Sequence, residues 1–198
     1  MNNSSSDIRI KCVLLGDQGV GKTSLVHRYI LDRFHSFNET TIGASYNAKP
    51  IVYNNMTYKL DIWDTAGQER YRSMVPLYYR NANVVFLCID LSNKNLKDSF
   101  VYWYDTLKNN KNSSSSQIIY LVGTKSDIKC NEVDEIIQDI TNQYNDIHYI
   151  ETSSKENSNV YDLFLNSTKI YIDTFSDKIP NEVLDITKKP KKFFCFFL

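Results

Sequence analysis

Residues Gly16 to Thr23 read GDQGVGKT and set three glycines, a lysine and a threonine at the spacing G-x-x-x-x-G-K-[ST]. Gly16, Gly19 and Gly21 let the backbone bend until successive N–H groups face inward around an anionic oxygen cluster. Lys22 is placed to reach the β- and γ-phosphates of a nucleotide, and the Thr23 hydroxyl to ligate a Mg²⁺ that shares their oxygens. A helix opening here adds the partial positive charge of its N-terminus. Asp17, Gln18 and Val20 complete the loop, which specifies a nucleoside triphosphate but neither the base nor the reaction.

Three further motifs supply what that loop leaves open. In WDTAGQER, Trp63 to Arg70, Asp64 stands at a strand end where its carboxylate can hold Mg²⁺ through water. Gly67 offers an N–H to a γ-phosphate with no side chain in the way. In TKSD, the Asp127 carboxylate can accept from both N1–H and the 2-amino group of guanine. Adenine lacks that donor pair and would leave the charge desolvated and unpaired. The fourth motif is ETSSK, Glu151 to Lys155.

With these motifs in this order, the chain resembles the small GTPases of the Ras superfamily over roughly residues 8 to 175, and the segments KLDIW, ERYRSM and YYRNA resemble the Rab family. The resemblance implies hydrolysis of GTP to GDP and phosphate, slow without an activating protein. It gives Gln68 the positioning of the attacking water, as in the Ras example of phosphoryl transfer. It assigns Thr41 to Mg²⁺ through its hydroxyl and to the γ-phosphate through its N–H, and Phe34 to an edge-on contact with guanine. The Thr124 and Lys125 positions then flank the base, with the Lys125 stem along its plane, and Ser153, Ser154 and Lys155 complete the pocket, the Ser154 N–H meeting the guanine O6. Residues Asn38, Glu39, Thr40, Thr41, Ile42, Gly43, Ala44, Ser45 and Tyr46 correspond to the effector loop.

Several positions depart from that pattern. Thr124 stands where most relatives have Asn, which predicts retained guanine selectivity with some loss of loop rigidity. Ser154 replaces an alanine, and Gln18 sits beside the γ-phosphate position, where it is expected to slow hydrolysis. Ala44, Ser45 and Tyr46 differ from the usual residues after the glycine and point to unusual effectors.

These residues need strands and helices to hold them. Ile8 to Leu15 alternates and then turns wholly apolar, as a central strand does. A helix from Lys22 to about Ile30 carries Leu25, Val26, Tyr29 and Ile30 at helical spacing, and Asp32 to Gly43 reads as a loop that orders on demand. Ala44 to Tyr53 and Thr57 to Trp63 flank Asn54-Asn55, a hairpin signal. A helical stretch at Ser73 to Arg80 follows, then strand Val84 to Asp90, helix Leu96 to Lys108, strand Ile118 to Gly123, helix Val133 to Tyr144, strand His148 to Thr152 and helix Val160 to Phe175. This alternation predicts an α/β P-loop NTPase fold: a mostly parallel six-stranded sheet, one antiparallel edge strand, helices on both faces and ligands at the carboxyl strand ends.

Residues 1–7 read as a disordered extension, 8–175 as one monomeric G domain, and 176–198 as a flexible tether. NNKNSSSS, Asn109 to Ser116, is a polar loop expansion. Lys plus Arg and Asp plus Glu number 23 each, so no overall field recruits nucleic acid. Cys12, Cys88, Cys130 and Cys195 have no metal or disulfide spacing, and no signal-type or membrane-length apolar run is found, which predicts a protein kept in the reducing cytosol. His27, His35 and His148 lie outside the matched motifs and read as ordinary helix, loop and strand residues; Glu39 and Glu69 lack a paired acid.

The chain closes on Cys195-Phe196-Phe197-Leu198, a C-a-a-X pattern whose terminal Leu favours geranylgeranylation, preceded by Lys188, Lys189, Lys191 and Lys192 as a basic second signal. The resulting expectation is a lipid-anchored switch on the cytoplasmic face of a membrane, with a cytosolic pool, in vesicle traffic. Its expected partners are effectors, a guanine-nucleotide exchange factor, a GTPase-activating protein, a prenyl transferase and a GDP-dissociation inhibitor. The rival readings are a GTP-binding scaffold that scarcely hydrolyses and a Rho- or Ras-type signalling protein.

Overall fold

Alternate residues of one strand, Val84–Asp90, feed two separate cores: Val84, Phe86 and Cys88 pack on one face of the sheet, and Val85, Leu87 and Ile89 on the other. Such a strand must lie centrally, with both faces covered. The computed structural model describes residues 8–37, 39–109 and 117–175 and makes this strand the fourth of six. The elements in chain order are β1 (Ile8–Leu15), α1 (Lys22–Leu31), β2 (Ala44–Tyr53), β3 (Met56–Thr65), α2 (Val75–Tyr79), β4 (Val84–Asp90), α3 (Leu96–Lys108), β5 (Ile118–Thr124), α4 (Val133–Gln143), β6 (Ile147–Glu151) and α5 (Val160–Phe175).

The sheet order is β2-β3-β1-β4-β5-β6, parallel throughout except for β2, which runs antiparallel to β3. α1 and α5 cover one face with Leu25, Tyr29, Leu163 and Phe164. The opposite face is covered by α2, α3 and α4, through Val75, Phe100, Trp103 and Ile137 among others. The β2–β3 hairpin turns through Asn54 and Asn55, both at positive φ, as the Asn-Asn signal predicts. The expected sheet and helix layers are therefore present, and β3 runs on to Thr65 beyond the predicted Trp63.

One predicted element differs. The segment read as a helix over Ser73 to Arg80 is a 3₁₀ turn at Glu69–Met74 followed by the short α2. Pro76 explains the break: lacking an N–H, it fits the first turn of a helix but not its interior. The expectations for residues 1–7, Asn38, residues 110–116 and the tail with Cys195 and its lysines fall outside the described residues. Among the described residues no helix is long and apolar enough to cross a membrane.

Candidate functional site

Because β1, β3, β4, β5 and β6 are parallel, their carboxyl ends share one edge of the sheet, and the motif loops following β1, β3, β5 and β6 gather there. They enclose a cavity of about 440 Å³ with the segment that joins α1 to β2. Gln18, Gly19, Gly21, Lys22 and Thr23 line one end and Lys125, Asp127, Ser154 and Lys155 the other, Thr124 lies against Gly21 between them, and Phe34, Thr41 and Gly67 also face the cavity.

At the first end the Lys22 ammonium is buried and donates to the Gly16 and Asp17 carbonyls at 2.7 and 2.8 Å. Burial lowers its pKa, partly opposed by the nearby Cys88, Asp64 and Asp17 groups. Gly16 is required by close approach, since a Cβ there would stand 2.4 Å from the Cys88 carbonyl oxygen. Asp17 turns its side chain away from the cavity: the Trp103 indole donates to it at 3.0 Å, and Arg72 lies 3.6 Å off. Only its backbone belongs to the cradle.

Beside Lys22, three oxygen-bearing side chains from different loops converge. The Thr23 hydroxyl donates to the Asp64 Oδ2 at 2.7 Å and lies 3.0 Å from the Thr41 hydroxyl. The other Asp64 oxygen, Oδ1, is buried with no partner among the described residues. Burial raises the Asp64 pKa, with the Thr23 hydrogen bond, Lys22, His27 and Thr41 pulling the other way. Oxygen-only donors of this kind suit a hard divalent cation: adjacent ligands of an octahedral ion bound at ~2.05 Å lie roughly 2.9 Å apart, close to the Thr23–Thr41 spacing. No cluster of three or more His, Cys, Asp or Glu that could hold a metal occurs among the described residues, so hydroxyls would have to share the role.

The loops of Thr41 and Gly67 are joined where the Ala66 N–H donates to the Gly43 carbonyl at 2.8 Å. Gly67 lies against the phosphate-end loop, and a Cβ on it would fall 2.4 Å from the Asp17 carbonyl carbon and the Gln18 nitrogen. Gln68 does not line the cavity. Its Oε1 accepts from Arg70 Nε at 2.7 Å. Ala44, Ser45 and Tyr46 of the expected effector loop are the first residues of β2, while Glu39 to Gly43 precede it.

At the far end both Asp127 oxygens are held by the last motif: the Ser153 hydroxyl donates to Oδ1 at 2.6 Å, and the Lys155 ammonium lies 3.8 Å from Oδ2. Ser153 is buried behind Asp127 and does not itself line the cavity. Lys125 takes a left-handed backbone, φ 57°, and pairs with Asp90 at 2.6 Å. Thr124 is buried, its hydroxyl donating to the Val20 carbonyl and lying 2.8 Å from that of Ile89. One proton shared between two carbonyls ties the phosphate-end loop to β4, so the loosening expected of a Thr here is opposed by a bond that its hydroxyl makes.

Sequence reasoning missed several lining residues. His35, Ser36 and Phe37 reach the cavity from a stretch with no period, and Ile128 from the turn after Asp127. It also missed a row of rings beside these loops, Tyr46 to Trp63 at 5.4 Å and Trp63 to Tyr78 at 6.0 Å between centroids. The Tyr46 hydroxyl donates to Asp61 at 2.7 Å and accepts from Arg9 at 2.9 Å. Partners on three strands and a helix cannot be read from spacing along one chain.

The Ras family model matches residues 11–172. The chain is 37% identical to the Ras-related protein RABF2a of Arabidopsis thaliana over 169 residues, covering 85% of this chain and 84% of that one. It is 36% identical to the Ras-related protein Rab-5A of Dictyostelium discoideum over 172 residues, with 85% and 84% covered. To the Ras-like GTP-binding protein RYL2 of Yarrowia lipolytica it is 50% identical over 118 residues, 60% of this chain and 56% of that one. Rab-type relatives at this coverage do not favour the Rho- or Ras-type signalling alternative. The motifs, the sheet that gathers them and these matches agree: the chain belongs to the Ras family of small GTPases, on its Rab branch.

Proposed function

We propose that the cavity holds GTP with Mg²⁺ and that the GTP-bound chain recruits effector proteins at the cytoplasmic face of a membrane in vesicle traffic, until hydrolysis to GDP releases them. The observation that carries this reading is the meeting of Lys22, Thr23, Thr41 and Asp127 around one cavity, with the buried Asp64 carboxylate bonded to the Thr23 hydroxyl behind its wall. Thr23 and Thr41 would hold Mg²⁺ directly and Asp64 through water, and the ion supplies neutralisation of charge on the β- and γ-phosphate oxygens.

Lys22 and the inward N–H groups of residues 16–23 bind and orient the triphosphate. Asp127 accepts from N1–H and the 2-amino group of guanine, the Ser154 N–H meets O6, the Lys125 stem lies along the base, and Phe34 covers its edge. Gln68 orients a water, which adds to the γ-phosphorus as the bond to the bridging oxygen of GDP breaks and the proton passes to phosphate. To do so its carboxamide must leave Arg70. Loss of the γ-phosphate frees the Gly67 and Thr41 N–H groups, and the two loops relax together, a change that partners read. The exposed Ile42 and the row Tyr46–Trp63–Tyr78 offer effectors an apolar surface beside those loops.

Residues 176–198 serve in this reading as a tether, geranylgeranylated on Cys195 and assisted by four lysines worth about 1 kcal/mol each at an anionic leaflet. An exchange factor, an activating protein, a prenyl transferase and a GDP-dissociation inhibitor complete the cycle. Single-turnover phosphate release from GTP-loaded protein tests the chemistry: Gln68→Leu is expected to lower the rate by at least about tenfold. An unchanged rate removes Gln68 from the reaction, and no release even with an activating protein leaves a GTP-binding scaffold instead.

A further inference from the structure

Arg28 lies in the second half of α1 and reaches to the loop after β6. Its Nε donates to the Ser154 carbonyl at 2.7 Å, and one terminal nitrogen donates to the Lys155 carbonyl at 3.3 Å. The other terminal nitrogen donates to the Asp32 backbone carbonyl and Oδ1 at 3.0 and 3.1 Å. Asp32 caps α1 in a left-handed conformation, and Asn157 of the same loop donates to its Oδ1 at 3.3 Å. The guanidinium is engaged along all three nitrogens, and its side chain is only 15% exposed.

An Arg–Asp pair four apart on a helix, with a carboxylate 79% exposed, has little weight alone. What is unusual is a planar, preorganised fork closing on two successive carbonyls from a segment distant in sequence. The residues so held, Ser154 and Lys155, line the cavity next to Asp127. α1 also begins with Lys22, whose ammonium lies at the opposite end. Six residues at 1.5 Å each separate Lys22 and Arg28 by about 9 Å along one helix. Leu25, Val26 and Tyr29 bury that helix against the sheet, so it serves both ends as one body.

We propose that Arg28 is a positioning residue for base recognition: it fixes the Ser154–Lys155 segment against Asp127 and thereby sets how long a guanine nucleotide stays bound. The inference rests on the guanine reading of the cavity given above. Arg28 touches no part of the nucleotide and acts only through the loop that it holds.

The test uses the full chain with Mg²⁺, following release of a fluorescent GDP analogue and, separately, single-turnover hydrolysis of preloaded GTP. Arg28→Ala is expected to raise the release rate about tenfold, the worth of one charged hydrogen bond, and to leave the hydrolysis constant of bound GTP unaltered. A general weakening of α1, which carries Lys22 and Thr23, would change both. Arg28→Lys keeps the charge but not the fork and is expected to restore only part of the retention. It also carries the comparison if the alanine variant does not fold. Release unchanged in both variants, hydrolysis and release altered together, or full restoration by lysine would overturn the proposal. Wild-type chain that binds no guanine nucleotide would overturn the reading beneath it, an outcome visible before any variant is made.

Discussion

Asp64 is 1% exposed, and of its two oxygens only Oδ2 has a partner among the described residues. Its pKa is raised, chiefly by burial, so the folded chain binds this proton more tightly than the unfolded chain does. Stability from such a group is fully present below the unfolded value of 3.8 and is lost as pH rises through the folded value. At neutral pH the buried charge therefore weakens the nucleotide-stripped chain. Asp64→Asn is expected to raise the melting temperature of stripped protein near neutral pH, to flatten its decline above about pH 4, and to weaken Mg²⁺-dependent GDP binding at least tenfold. Thermal unfolding across pH and nucleotide titration check both halves, and a lower melting temperature for the stripped variant contradicts the argument. The positions of Lys22, Thr23, Asp64 and Asp127 are legible in sequence because residue type and spacing limit what they can do. The side-chain directions of Asp17 and Gln68 are not: Trp103 sets the first from 86 residues away, and the second turns on which of several polar partners the carboxamide takes, here Arg70 two residues on.

Among the elements, the end of β5 ties together the loop after β1, β4 and the turn that follows β4. Thr124 bonds the Val20 carbonyl of the loop after β1 and neighbours that of Ile89 in β4, while the Leu91 N–H donates to the Thr124 carbonyl at 3.0 Å. Thr124→Val preserves the shape and deletes the donor, leaving buried carbonyls short of a partner. It is expected to cost about 1–3 kcal/mol in urea unfolding and to speed nucleotide release; a stability equal to wild type would show that the carbonyls find other donors. β4, α3 and α5 match their sequence patterns residue for residue, since period and apolar content coincide there. The 69–80 stretch does not, because Pro76 moves the helix start and no periodicity announces a 3₁₀ turn.

For the molecule as a whole, stability comes from two cores divided by the sheet, and the one under α1 and α5 is built on rings. Phe164 stacks on Tyr29 at 3.8 Å and meets Phe86 edge-on at 5.3 Å between centroids. Phe164→Ala is expected to lose about 3–5 kcal/mol, read by denaturant midpoint, as a cavity left by a fully buried ring should. A loss under about 1 kcal/mol would mean that α5 collapses into the space. The cavity at the strand ends has a different consequence, which concerns the protein's lifespan. Its walls are loops from four strand ends and one helix, so a ligand that binds only the folded form adds its binding free energy to theirs, about 2.7 kcal/mol at a hundredfold excess over its dissociation constant. Each passage through an empty state would then expose the chain to quality-control proteases, and on the guanine reading of the cavity the abundance of the protein in a cell would follow the guanine-nucleotide supply.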